Sequence, residues 1–179
     1  MSNFLIADAQ RIQQFTDNLA IGKTVLEIGT GSGVIANFCH QSGAESVIAV
    51  DINPHAVNHV KRAYPHIIVL ESDLFSKINQ QFDDIIFAAP WSVGTIRTPL
   101  DYALYDNGVV ERFFREANEY LKPEGRIWVQ YCDAFEDNFR LFPHWVSSSG
   151  FKITDQWSYS TYGRLVKRDV NVILYRIER

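Results

Sequence analysis

Three glycines in the run Glu27-Ile28-Gly29-Thr30-Gly31-Ser32-Gly33 have the spacing of a ligand-binding turn. The apolar residues before them are typical of a buried strand, and residues 34–39 continue with the spacing of a helix. Glycine lets the backbone approach a bound molecule closely, because it has no Cβ and adopts positive φ without strain. Nucleotide-like cofactors bind at such turns, at the carboxyl end of the first strand of an open α/β sheet.

The spacing of these glycines indicates which cofactor the turn suits. The dinucleotide fingerprint is G-x-G-x-x-G, but here the third glycine comes one position earlier, at Gly33. A dinucleotide presents a pyrophosphate to a helix N-terminus, whereas a sulfonium cofactor presents an α-amino group and a positive sulfur that suit the carboxylate of Glu27. We therefore expect S-adenosylmethionine rather than NAD, held by Glu27, Gly29, Thr30, Gly31 and Gly33. The alternative is a tight turn that binds no ligand.

A second predicted strand, residues 46–50, ends at Asp51, twenty positions after Gly31. An acidic residue at this place can accept hydrogen bonds from both hydroxyls of a ribose, so Asp51 is the predicted ribose ligand. Its other interpretation is a helix cap, but Asn53 already precedes Pro54 in the arrangement of a helix N-terminus.

The E-x-G-x-G-x-G pattern resembles motif I of the Rossmann-like class I methyltransferases. Leu121-Lys122-Pro123-Glu124-Gly125-Arg126 is similar to the L-K-P-G-G turn that precedes the fifth strand in that family, here residues 127–131. The resemblance covers the chain from the glycine turn to the terminal hairpin. It implies an α/β fold: a three-layer, doubly wound, seven-stranded and mostly parallel sheet whose last strand is reversed.

In the family that the chain resembles, an Asp after the third strand reaches the adenine amino group, and apolar side chains sandwich the ring. Here the third predicted strand, residues 67–70, leads to Asp73. The resemblance implies that Asp73 contacts adenine, with Ile52 and Leu74 beside the ring; the alternative is a surface turn. Ala88, at the end of the fourth predicted strand, completes the positions assigned to the cofactor.

That fourth strand, residues 82–87, ends in Ala88-Ala89-Pro90-Trp91. The chain here resembles small-domain methyltransferases that carry Asn-Pro-Pro-Tyr or Asp-Pro-Pro-Tyr and methylate glutamine in release factors or exocyclic amines of nucleobases. Their Asn or Asp side chain and the next carbonyl orient a planar nitrogen, and the aromatic ring stacks on the substrate. Pro90 and Trp91 match this pattern and are assigned to the catalytic site. Ala88 has no side-chain acceptor, so only a backbone carbonyl remains to accept a hydrogen.

Residues 92–107 show no sustained hydrophobic period and leave directly from the expected ligand edge. A long irregular segment inside a compact domain is usually functional, so we interpret this segment as the substrate loop. Tyr102 and Tyr105 supply aromatic faces, and Asp101 and Asp106 are the candidate general bases toward a nitrogen acceptor.

The length of 179 residues predicts one domain. We expect an amphipathic helix within residues 1–20, a helix over 134–148 broken near Pro143, and a terminal hairpin over 151–179. No stretch has the pattern of a membrane span or signal peptide, which predicts a cytoplasmic protein with no membrane partner. Cys39 and Cys132 lack partner motifs, so neither a disulfide nor a metal site is expected.

Three functional interpretations follow. The first is N-methylation of a protein side chain or small amine. The second is methylation of a nucleic-acid base, which a net charge of −4 disfavours because polyanion binding draws on cationic side chains. The third is a non-catalytic cofactor-binding subunit, an interpretation that Ala88 makes plausible.

Overall fold

The computed structural model describes residues 20–90, 92, 94–98, 101–134, 136–163 and 167–179, except for the side chains of residues 136–138. Residues 1–19, where the N-terminal helix is predicted, and Trp91 lie outside the described part of the chain.

Seven strands form one sheet in the order β3-β2-β1-β4-β5-β7-β6. The first five run parallel, β7 is antiparallel to β5, and β6 is antiparallel to β7. This topology confirms the predicted doubly wound sheet with a reversed strand. The strands are β1 (Thr24–Ile28), β2 (Ser46–Asp51), β3 (Ile68–Glu71), β4 (Phe82–Ala88), β5 (Leu121–Cys132), β6 (Lys152–Gly163) and β7 (Arg168–Glu178).

Helices cover both faces of this sheet, which is why the central strands are apolar on both sides. In the part of the chain that the structure describes, the helices are α1 (Val34–Gln41), α2 (Pro54–Ala63), α3 (Val109–Ala117) and α4 (Glu136–Ser148), with a short 3₁₀ turn at Asp101–Ala103. Buried side chains of α1 and α2 pack on one face, and those of α3 and α4 pack on the other. Among the described residues, no helix has the length and apolar character to cross a bilayer.

Local signals explain where several elements begin. Asn53 caps α2 as predicted, because its side chain accepts a hydrogen bond from the backbone N–H of His55 at 3.0 Å.

Two predicted interruptions, a break in a helix and a turn before a strand, are wrong. Pro143 lies inside α4, which continues through it although proline supplies no N–H. The predicted turn at 122–126 is an irregularity within β5, because Leu121 pairs with Phe82 and Arg126 pairs with Asp84.

The terminal hairpin lies within the predicted residues 151–179 and extends past the end of β5. The last β5–β7 pair joins Cys132 to Val172, whereas β6 and β7 remain paired as far as Gly163 and Arg168. Asn171 ties this extension to the end of β5, because both its backbone N–H and its side-chain amide donate to the carboxylate of Asp133 at 2.7 Å. The hairpin therefore overhangs the carboxyl edge of the sheet.

Candidate cofactor and substrate site

The glycine turn connects β1 to α1 at the carboxyl edge of the sheet. Gly29 and Gly31 have φ values of +70° and +53°, and a Cβ on either would meet no close neighbour. Gly33 differs, because its Cβ would lie 2.8 Å from the Val60 side chain and 3.0 Å from Tyr64. The first two glycines therefore leave open space above the turn, while the third allows α1 to pack against α2. This packing role was not predicted for Gly33.

Asp51 lies beside this turn, at the end of β2. One of its carboxylate oxygens accepts the N–H of Gly31 and the other accepts the N–H of Asn53, both at 2.8 Å. Burial raises the pKa of Asp51, and the two backbone hydrogen bonds oppose that increase. Asp51 thus fixes the glycine turn to the second strand. Each oxygen keeps a further lone pair, so the carboxylate can also accept hydrogen bonds from a ligand.

Glu27 lies beneath the turn and is 2% exposed. Its Oε2 accepts hydrogen bonds from the Thr30 hydroxyl at 2.5 Å and from the Ala36 N–H at 3.1 Å. Burial is the main cause that raises its pKa to about 8, and the nearby charge of Asp51 adds to the increase. Near neutral pH the side chain is therefore largely a neutral acid that holds the turn to α1. Contact of Glu27 and Thr30 with the cofactor stays a prediction.

Glu27 should make stability depend on pH. Since its pKa rises from 4.5 in its ordinary state to about 8 in the fold, the unfolded chain loses this proton first, and stability falls as pH rises between these values. We expect Glu27→Gln to remove this decline, with a stability difference from the unmodified chain that grows by up to about 1.4 kcal/mol per pH unit. Urea unfolding from pH 5 to pH 8 measures it.

The exposed Glu45 provides the control for this measurement. Glu45→Gln should leave the pH profile of the unmodified chain in place. Equal profiles for Glu27→Gln and the unmodified chain would contradict the buried-acid assignment.

Asp73, the predicted adenine ligand, follows β3 and forms an unpredicted ion pair with Arg112 of α3. Two guanidinium nitrogens of Arg112 donate to the two carboxylate oxygens of Asp73, one of them at 3.0 Å. Both side chains remain partly exposed. Next to Asp73, the buried Leu74 adopts a φ of 45°, which is unusual for a residue with a Cβ, and Ile52 is partly buried. Contacts of Asp73, Ile52 and Leu74 with adenine stay predictions.

The predicted catalytic segment begins where β4 ends. Ala88 pairs with Gln130 of β5, and the N–H of Ala89 donates to the Gln130 carbonyl at 3.1 Å. Pro90 is buried, and its contact with a substrate stays a prediction, as does the stacking role of Trp91. Beyond them the backbone of Ser92 receives a hydrogen bond from the Asp106 N–H and donates one to the Leu104 carbonyl, both at 2.9 Å. The two ends of the predicted substrate loop are therefore joined at its base.

The two candidate bases occupy very different positions. Asp101 is on the loop surface, where its Oδ2 accepts the backbone N–H groups of Arg97 at 2.8 Å and Thr98 at 2.7 Å. These bonds lower the pKa of Asp101. Asp106 is 2% exposed and holds the first turn of α3, since its Oδ1 accepts the N–H of Val110 at 2.9 Å. Burial raises the pKa of Asp106, and its backbone hydrogen bonds oppose that increase. Both carboxylates accept hydrogen bonds from backbone N–H groups, and their role as general bases stays a prediction.

A cleft of about 420 Å³ lies in the same loop and is lined by Thr95, Arg97, Thr98, Asp101 and Tyr105. Gly94 packs against the ring of Tyr105, since a Cβ there would lie 2.5 Å from that ring. Tyr105 and Asp101 thus border one space, and its use by a substrate stays a prediction.

Sequence reasoning missed two ion pairs, Asp73–Arg112 beside the site and Asp84–Arg126 within the sheet. Asp84, fully buried in β4, accepts Nε and Nη2 of Arg126 at 2.8 and 2.9 Å and Nε1 of Trp128 at 3.0 Å. The sequence did contain a sign of this pair, since Asp84 stands in a largely apolar strand and a buried charge requires a partner. The partner of Asp73 had no comparable signal in the sequence.

Comparison with known proteins places these features in a family. A family model described as "Methyltransferase small domain" matches residues 8–155. A protein of Methanocaldococcus jannaschii with the provisional name protein N5-glutamine methyltransferase is 35% identical over 119 residues, covering 60% of each chain. The release factor glutamine methyltransferase of Streptococcus pneumoniae is 28% identical over 133 residues, or 64% of this chain and 48% of that protein. The chain thus spans between about half and three fifths of these relatives.

Solved structures agree with the fold. The crystal structure of ribosomal protein L11 methylase from Lactobacillus delbrueckii subsp. bulgaricus superposes with a TM-score of 0.72 at 17% identity, covering 99% of this chain and 80% of that one. At this identity the likeness concerns the fold alone.

Proposed function

The chain belongs to the methyltransferase small domain family, and from this premise we propose that it transfers a methyl group from S-adenosylmethionine to a nitrogen atom of a protein side chain or small amine. The observation that carries the proposal is the connection between Asp51 and the glycine turn, which brings an acceptor for ribose hydroxyls beside two glycines with open space above them.

The residues present fit this cofactor. Gly29 and Gly31 leave room for it along the turn, Asp51 would accept hydrogen bonds from the ribose, and Asp73 would accept one from the adenine amino group. The cofactor supplies an electrophilic methyl group whose transfer leaves a neutral thioether. The third glycine packs against α2, so the room for a ligand lies along the first two glycines.

We propose that this chain acts mainly by aligning the acceptor nitrogen with the methyl group. Alignment of reacting atoms can lower a barrier by about 7–11 kcal/mol. The lone pair of the neutral acceptor nitrogen forms the new N–C bond as the C–S bond breaks, and the methylated nitrogen then loses its proton to water. Asp101 and Asp106, the bases expected from the sequence, both hold backbone N–H groups. The backbone carbonyls at the end of β4 remain as acceptors for the hydrogens of the nitrogen.

The names of the relatives favour a protein acceptor. Two of them are named for glutamine methylation, and others are named as ribosomal protein L11 methyltransferases, one of which is 41% identical over 71 residues. We therefore propose a nitrogen atom of a protein side chain as the first acceptor to test. Ala88 replaces the Asn or Asp of the glutamine-methylating enzymes, so this chain must orient the nitrogen with other groups.

The experiment has two stages. S-Adenosylhomocysteine at about one hundred times its dissociation constant should stabilise the protein by about 2.7 kcal/mol, seen as an increase of several degrees in the unfolding temperature, while NAD should have no effect. Tritiated S-adenosylmethionine is then incubated with the protein and cell extract. Label in the protease-sensitive fraction supports the proposal, label in the nuclease-sensitive fraction supports the base-methylating alternative, and binding without label supports a non-catalytic subunit.

A further inference from the structure

The side chain of Tyr131 contains a buried hydroxyl group that the proposed cofactor contacts do not use. Tyr131 is 1% exposed, and within the described part of the chain its hydroxyl is the buried side-chain oxygen that has no hydrogen-bond partner. Such a hydroxyl destabilises a fold, because it has given up its bonds to water without replacement. Phenylalanine would fill nearly the same volume without this loss of stability, so packing alone does not explain the hydroxyl group.

The Tyr131 ring lies near the carboxyl end of β5, on the sheet face that α3 and α4 cover. Tyr131 follows Gln130, the residue that pairs with Ala88 at the end of β4, so it lies one position further along the carboxyl edge. Its ring stacks on Phe142 at a centroid distance of 5.0 Å and on Phe139 at 6.4 Å. These contacts with two rings of α4 restrict the orientation of the Tyr131 side chain.

The surroundings keep the hydroxyl protonated. Burial raises the pKa of Tyr131, and the carboxylate of Asp106, at the end of the substrate loop, raises it further, with smaller contributions from Cys132 and Tyr175. A neutral phenol both donates and accepts a hydrogen bond. It can therefore orient a polar group without taking a proton from it.

We propose that the Tyr131 hydroxyl hydrogen-bonds the polar head of the methyl acceptor, from the side of the carboxyl edge that α3 and α4 cover. This inference rests on the proposed methyltransferase function. Acceptor binding would supply the partner that the hydroxyl lacks within the described structure, so the free energy lost on folding is regained when the substrate binds. Tyr131 is then a substrate-binding residue that favours acceptors with a hydrogen-bonding group beside the reacting nitrogen.

Tyr131→Phe tests this inference, with Tyr175→Phe as the matched control. Tyr175 lies on the neighbouring strand β7, is also buried, and its ring is 4.7 Å from the same Phe142. Each variant is measured for its unfolding temperature, for S-adenosylhomocysteine affinity by calorimetry, and for the initial rate of tritiated methyl transfer to extract protein.

We expect Tyr131→Phe to be at least as stable as the unmodified protein, to bind S-adenosylhomocysteine with unchanged affinity, and to transfer methyl groups about tenfold more slowly, the loss of one substrate hydrogen bond. Tyr175→Phe should retain its rate. Equal rates for Tyr131→Phe and the unmodified protein would overturn the inference alone, as would equal losses in both variants. If the unmodified protein binds S-adenosylhomocysteine but labels nothing, the proposed function fails and this inference fails with it.

Discussion

Asp51→Ala should bind S-adenosylhomocysteine at least about one hundredfold more weakly than the unmodified protein, because the change removes two kinds of contact. The carboxylate is the predicted acceptor for the ribose hydroxyls, and hydrogen bonds to charged groups contribute about 1.5–3 kcal/mol each. The same carboxylate holds the N–H of Gly31 at 2.8 Å, so the glycine turn loses its connection to β2. Isothermal titration calorimetry measures the dissociation constant directly.

Asn53→Ala is the control for this loss. It removes the cap of α2, two residues from Asp51, and should cost about 1 kcal/mol of stability. Because it leaves the Asp51 side chain and the N–H groups bonded to it in place, its affinity for S-adenosylhomocysteine should stay within about threefold of the original. A similar small change for Asp51→Ala would show that Asp51 is a structural residue only.

Arg126→Met should lower the free energy of unfolding by about 3–5 kcal/mol, because it leaves a buried carboxylate without a counter-charge. Asp84 is fully buried, and its carboxylate accepts two hydrogen bonds from this guanidinium and a third from the Trp128 indole. For a domain of this size the loss corresponds to a decrease of roughly 10 °C in unfolding temperature. Urea unfolding followed by circular dichroism gives the free energy.

Lys122→Met is a matched comparison, because it removes the partner of Asp83, the acid that precedes Asp84 in β4. Lys122 pairs with Asp83 at 2.8 Å, but Asp83 is 23% exposed and also accepts two hydrogen bonds from Thr24. Although partial burial opposes the shift, the bonds from Lys122 and Thr24 lower the pKa of Asp83 to about 2. Water can solvate this carboxylate when the lysine is removed, so the cost should be at most about 1 kcal/mol. Equal costs for the two variants would contradict the distinction.

The sheet and the cofactor edge could be predicted because their signals are local. The glycine turn, the acid at the end of the second strand and the Asn53-Pro54 helix start each occupy a few consecutive residues. The structure brings Gly31 and Asp51 within one hydrogen bond, as the order of parallel strands requires. The contact between Gly33 and Val60, however, could not be predicted from the local sequence, because it depends on how α1 packs against α2.

Contacts between distant parts of the chain could not be predicted in this way. Arg112 pairs with Asp73 across 39 positions, and Arg126 with Asp84 across 42, and nothing in either pair identifies its partner. Asp106 has a structural contact that the sequence analysis did not include. It lies three residues before Val109, where α3 begins, and its Oδ1 accepts the N–H of Val110 in the first turn. Its role as a general base stays a prediction.

The strand order β5-β7-β6 also determines when the sheet can be completed during synthesis. All residues of the five parallel strands precede position 133, so these strands can pair while later residues are still being added. Strand β6 is made before β7, yet its neighbour in the sheet is β7, and β7 must pair with β5 to join them. The nascent chain therefore has an interval in which the edge of β5 and the whole of β6 lack partners. Unpaired edges of this kind favour aggregation, so the arrival of β7 closes the most vulnerable stage of folding.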